Sequence, residues 1–229
     1  MGKRGPGAGR LRAAAKAAPA IVSHPWEKAG MPADEKVLAF LRTLPIVAGL
    51  RAGETLELLD FQEQFVRGVY GNVDDLGRRR VRLAALSVAR GNGKSAMLAG
   101  LSLAHLLGPM MEPYGECYAA ALDREQAGVL YRMTRAYIEA TPWMASAVNV
   151  KDWHKEIVHE SSQSIWRALT SDARKAHGLA PSFWIADEVA QWRSRVRRDP
   201  MGEGGTRVRP LGRRCLGLEH DAGGRAHEL

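Results

Sequence analysis

Apolar residues from Ala33 onward recur at helical spacing in ADEKVLAFLRT, so that Val37, Leu38, Leu41 and Leu44 fall on one stripe. The next stretch, GLRAGETLELLDFQEQFVRGVYG, starts rich in glycine. It reads as a loop, a short strand, and a helix from about Asp60, with Asp60 and Glu63 as its N-terminal capping pair. Residues 78–89, RRRVRLAALSVA, are a short apolar run bounded by charge, the length of a buried strand. Residues 95–108, SAMLAGLSLAHLLG, are dense in Ala and Leu and stop at Gly108-Pro109, which predicts a buried helix. GECYAAAL, 115–122, is the next strand. A helix over 123–142 follows, opened by Asp123 and Gln126 as a capping box, with Val129, Leu130, Met133, Tyr137 and Ile138 on its apolar side. EIVHESSQSIWRALTS reads as a hairpin turning at Ser161-Ser162. APSFWIADEVAQW, 180–192, is an apolar strand that runs into Asp187-Glu188. Strands alternating with helices predict an α/β fold, a mostly parallel sheet flanked by helices.

After Trp192 the pattern breaks. Residues 193–229 hold nine Arg and seven Gly with no sustained periodicity, the composition of a disordered tail. The first 29 residues form a second basic, small-residue-rich segment without the compact apolar stretch of a signal peptide, and are expected to be a disordered arm. Residues 30–192 are left as the folded domain. The formal net charge of +8 divides along the same lines: +5 in residues 1–28, +4 in 193–229 and −1 in 29–192. The basic ends suit loose contacts to phosphate backbones, and the core shows no basic face in its composition. No apolar run approaches the roughly 20 residues that span a bilayer. Cys117 and Cys215 lie far apart and make no metal-binding spacing, as expected of a reduced cytoplasmic protein.

The candidate chemistry begins at SVARGNGKSAML, 87–98. It matches the end of the phosphate-loop pattern G-x-x-x-x-G-K-[ST], but Val88 stands where the first glycine belongs and Arg90 sits inside the loop. Gly91, Asn92 and Gly93 would wrap phosphates with backbone N–H groups, Lys94 would reach the β- and γ-phosphates of ATP, and Ser95 would hold Mg²⁺. An ordinary strand-to-helix turn containing Gly-Lys-Ser would look the same locally. The strand before it and the helix after it favour the phosphate loop. The second piece is Phe183-Trp184-Ile185-Ala186-Asp187-Glu188, apolar residues ending in acids at the sheet edge where ligands of open α/β sheets bind. Asp187 would hold Mg²⁺ and Glu188 would act as general base on the attacking water. A surface acid pair ending a strand is the plainer alternative. Gln62, about 30 residues before the loop, could pair with adenine or simply lie on a helix surface. His177-Gly178 reads as a helix end or loop, and Trp153, Trp166 and Trp184 as core aromatics.

Together these stretches resemble the large terminase subunit of tailed bacteriophages, over roughly residues 30–192. The loop carries most of the likeness, since this family often lacks the first glycine and has an arginine where Arg90 stands. The resemblance implies a P-loop NTPase of the additional-strand type, with Arg90 sensing the γ-phosphate and Gln62 in an adenine-contacting motif. ATP and Mg²⁺ would be its cofactors. Double-stranded DNA, a small terminase subunit and a portal would be its partners, in the host bacterial cytoplasm, with a homo-oligomeric ring and no membrane. The departure is after Glu188, where a coupling motif, the rest of the sheet and a nuclease domain would follow. The Gly204-Gly205-Thr206 stretch does not supply that coupling motif. The abrupt tail reads as translation in a shifted frame, with an incomplete sheet. An inactive prophage remnant and a helicase-like P-loop ATPase are the competing expectations.

Overall fold

The computed structural model describes residues 23–121, 124–170, 179–187 and 215–218. Five helices are described: α1 (Ala33–Leu41), α2 (Asp60–Tyr70), α3 (Lys94–Leu106), α4 (Arg124–Ala140) and α5 (Pro142–Ala147). The strands are β1 (Leu83–Ala85), β2 (Glu116–Ala121), β3 (Val148–Lys151), β4 (Glu156–His159), β5 (Ile165–Thr170), β6 (Phe183–Asp187) and β7 (Cys215–Leu218). They form one open sheet in the order β1-β7-β6-β2-β5-β4-β3. Five of them, β1, β7, β6, β2 and β5, run parallel, and β4 and β3 are antiparallel additions at one edge. The expected α/β class and mostly parallel sheet are therefore present. Among the described residues, no helix is long and apolar enough to cross a membrane.

The parallel register explains the apolar runs, because parallel strands are covered by their own crossover helices. Cys117 and Ala119 of β2, Trp166 of β5, and Phe183 and Ile185 of β6 point into one core with α3 and α4. Helix α3 is buried along almost its whole length, from Met97 to Leu106, which is why its sequence lacks a polar face. Its inner end is fixed by His105, whose ring stacks on Phe183 at 3.9 Å and whose Nε2 lies 3.0 Å from the Tyr70 hydroxyl. Desolvation pushes the Tyr70 phenol upward, so it stays protonated as a hydrogen-bonding group.

Helix α1 lies across α3 with Val37, Leu38, Leu41 and Leu44 all fully buried, as the stripe predicted. Gly100 makes this crossing possible. A Cβ there would sit 2.6 Å from Leu41 Cδ2 and 2.9 Å from Leu44 Cδ1. Helix α2 is tied to α1 by Arg67, which reaches Glu35 at 2.6 Å, and by Arg42, which reaches Glu63 at 2.5 Å.

Several expectations are corrected. The predicted strand over 78–89 shortens to Leu83–Ala85, because Arg78 is held by Asp74 and Arg79 bridges to Val73 before the strand begins. The start of α2 is closed by Gln62, whose Oε1 accepts the Leu59 N–H at 3.0 Å, while Glu63 faces Arg42. The short strand expected before α2 is reduced to one bridge, Pro45 to Thr55. Trp26 lies inside the arm expected to be disordered, yet it is buried edge-on to Phe40 at 5.0 Å, so the folded domain begins earlier than residue 30. Trp166 is fully buried, but Trp153 is 90 % exposed, since the short 3₁₀ turn that carries it projects from the sheet edge. Within the tail, the apolar run Cys215–Leu218 pairs in parallel between β1 and β6, so that both of its edges have a strand neighbour. That is the place of an additional strand. The Asp123–Gln126 cap lies outside the described residues.

At the antiparallel edge, Glu156 faces Lys151 across β3 and Arg167 across β5. Its carboxylate accepts from Lys151 Nζ at 2.8 Å and from Arg167 Nε at 2.8 Å, with Arg167 Nη2 on the same oxygen. Burial raises its pKa, and the two cations more than offset this and hold it below the usual carboxylate value. A depressed carboxylate stabilises the fold at neutral pH and loses that contribution as pH falls through its folded value. Glu156→Gln should therefore cost about 1–2 kcal/mol at pH 7 in urea unfolding. The gap to the native chain should close below the ordinary carboxyl value of 4.5. Equal stabilities at pH 7 would show that the row contributes nothing. Gly100→Val should cost about 1–3 kcal/mol through overpacking against Leu41 and Leu44, measured in the same way.

Candidate functional site

The C-terminal ends of β1 and β6 lie on one edge of the sheet with only β7 between them. The chain leaves β1 through residues 86–93 and enters α3 at Lys94. Gly91 and Gly93 take φ values of 85° and 68°, left-handed conformations that suit glycine. Asn92 closes the loop by donating Nδ2 to the Ala89 carbonyl at 3.3 Å. Gly93 is the residue that precedes α3, and its carbonyl accepts the Met97 N–H at 3.0 Å.

No side chain caps this helix start and no acid lies in its first turn. The first N–H groups of a helix lack internal partners and carry the positive end of its dipole. Here they open onto the sheet edge beside two glycines, an arrangement that receives an anion. Ser95 is the second residue of α3 and is half-buried.

Lys94 and Asp187, far apart in the chain, meet directly. Lys94 Nζ lies 2.9 Å from Asp187 Oδ1, with both side chains largely buried at 13 % and 22 % exposure. The fold thus brings Gly91, Asn92, Gly93, Lys94, Ser95 and Asp187 to one edge of the sheet. Arg90 is in the same loop and exposed to solvent. Glu188, His177 and Gly178 lie outside the described residues.

Gln62 reaches the same place from α2. Its Nε2 donates to the Asn92 carbonyl at 3.1 Å, and the side chain is 4 % exposed. The sequence contained no spacing signal for this contact, because it joins residues 30 positions apart through tertiary packing. Cys117 is a buried, free thiol pushed up to about 12 by desolvation, which closes it to nucleophilic chemistry.

Among the described residues there is no cluster of three or more His, Cys, Asp or Glu side chains placed to hold a metal ion. A Mg²⁺ ion that arrives with a nucleotide takes only one or two protein oxygens and completes its shell with phosphate and water. The Ser95 hydroxyl and the Asp187 carboxylate are oxygen donors of that kind.

A family model for the ATPase domain of the terminase large subunit matches residues 60–204. The large terminase subunit of Enterobacteria phage HK97 is 32% identical over 160 residues, which cover 69% of this chain and 31% of that protein. The crystal structure of the HK97 large terminase aligns with a TM-score of 0.65 at 26% identity, over 83% of this chain and 38% of that one. The chain therefore spans about a third of the length of these relatives.

Proposed function

Because the chain belongs to the family of terminase large-subunit ATPase domains, we propose that it hydrolyses ATP with Mg²⁺ and that this drives double-stranded DNA into a prohead. The observation that carries the reading is the Lys94–Asp187 pair beside an uncapped helix start. One charged residue from the loop and one from the far strand converge where a triphosphate would lie. The reaction is in-line attack of water on the γ-phosphorus, with cleavage of the bond to the ADP oxygen and release of inorganic phosphate and a proton. Such transfers are driven mainly by positioning and charge neutralisation.

Gly91, Asn92 and Gly93 would surround the phosphates with backbone N–H groups, and the α3 N-terminus would add its dipole. Lys94 would exchange the Asp187 carboxylate for phosphate oxygens. Ser95 and Asp187 would hold Mg²⁺, which supplies charge neutralisation on the phosphates when bound. Arg90, exposed in the loop, would stabilise charge on the γ-phosphate, and Glu188 would orient and deprotonate the water. Double-stranded DNA, a small terminase subunit, a portal and a ring of identical subunits belong to the same reading, as does action in the host cytoplasm. The basic segments at 1–28 and 193–229 suit sequence-independent phosphate contacts.

ATP turnover of the full chain against Lys94→Ala tests the assignment. The native chain should turn over ATP, and the variant should fall by at least about 100-fold, the scale of removing one preorganised charge-stabilising donor. Equal turnover rejects the site. A second test separates the two roles of Asp187. In EDTA, Asp187→Asn should bind ATP about tenfold more tightly than the native chain, because Lys94 is no longer held by a carboxylate. With Mg²⁺ the variant should lose most of the gain in affinity that the native chain shows. Unchanged or weaker binding in EDTA, measured calorimetrically, contradicts the exchange of partners by Lys94.

A further inference from the structure

Gln62 stands out as a buried polar side chain with both ends of its amide engaged by the protein itself. Oε1 accepts from the Leu59 N–H at 3.0 Å, and Nε2 donates to the Asn92 carbonyl at 3.1 Å. The orientation of the amide is fixed by these partners, since the contacting Leu59 N–H can only donate and the contacting Asn92 carbonyl can only accept. A paired contact to adenine needs the same oxygen and nitrogen turned outward together, but here they point at α2 and at the loop. The side chain also fills the space beside Gly93, whose Cβ position lies 3.1 Å from Gln62 Nε2.

We propose that Gln62 is a positioning residue for the phosphate loop rather than an adenine contact. Its Nε2–H pins the Asn92 carbonyl away from the mouth of the loop. That leaves the neighbouring N–H groups turned toward the anion. The pin is rigid because its base is rigid. Gln62 sits in the first turn of α2, α2 is tied to α1 through Arg67 and Arg42, and α1 is locked onto α3 at Gly100. The end of the loop that enters α3 is thus held twice by one block: directly at Asn92, and through α3 at Lys94. A carbonyl turned inward at this position would face the phosphates with a lone pair and repel them.

The test uses Gln62→Glu in the full chain. Glutamate keeps the acceptor for Leu59 N–H but places an oxygen against the Asn92 carbonyl. Without any nucleotide, hydrogen exchange of the Asn92, Gly93 and Lys94 amides should quicken severalfold in the variant. With Mg²⁺ present, its affinities for ATP, GTP and inorganic tripolyphosphate should fall together, each by about tenfold. Loss confined to ATP would mean an adenine contact and overturn the proposal. Unchanged exchange in the loop would overturn it as well. Should the variant prove unstable by thermal melting, Gln62→Met removes the same donor at similar volume and is read in the same two ways. The inference deepens the nucleotide reading, and the two fail differently. A native chain that binds none of the three triphosphates sinks the nucleotide reading, while the exchange measurement still decides whether Gln62 holds the loop.

Discussion

The Lys94–Asp187 contact depends on a constraint of the whole sheet: the strand that ends in Asp187 must finish level with the strand that launches the glycine loop. A parallel sheet meets this condition because its strand ends share one edge, and the crossover helices return each chain segment to the opposite edge. With β7 interposed, the ends of β1 and β6 stay close enough for a lysine side chain to reach across. Shifting either strand by one residue would turn its side chains to the other face and separate the two charges. The burial of Phe183 and Ile185 against α3 therefore sets more than stability. It fixes the register that presents Asp187.

A second dependence runs through α3. Its first residue carries the charge, and its interior is packed on every side. His105 locks its far end to the strand that bears Asp187, and Gly100 lets α1 approach closely at its middle. Lysine at position 94 is thus the tip of a helix with little freedom to shift, and the loop before it is short and held by Asn92 and Gln62. Preorganisation of this kind places charge before a ligand arrives.

Much of this was legible in the chain itself, for identifiable reasons. Helices α1 and α4 are long enough for their apolar spacing to declare them, α3 is declared by its Ala/Leu density and the stop at Gly108-Pro109, and β2 and β6 are continuous apolar runs of the kind that parallel strands require. The turn at Gly91 and Gly93 was readable because glycines between a strand and a helix start suit left-handed backbone, which both adopt. Strand β1 was overestimated because the arginines flanking Leu83–Ala85 do not themselves signal where pairing ends. Their partners, Asp74 and Val73, come from a turn. Strand β7 was not legible: Cys-Leu-Gly-Leu lies among arginines and glycines, and only the gap between β1 and β6 gives it a reason to pair. Strand β3 and the exposure of Trp153 were missed for the same cause, since four residues at a sheet edge carry almost no periodicity. The role of Gln62 could not be read from spacing, because one glutamine on a helix looks alike whether it faces solvent or a loop.

A single triphosphate site between the α3 N-terminus and the end of β6 is put to the test by a crystal structure of the full chain with Mg²⁺ and a non-hydrolysable ATP analogue. Phosphates should seat on the Gly91–Ser95 backbone, with Lys94 Nζ moved from Asp187 onto phosphate oxygen and Asp187 turned to the metal. A nucleotide bound elsewhere, with the Lys94–Asp187 pair intact, would contradict it.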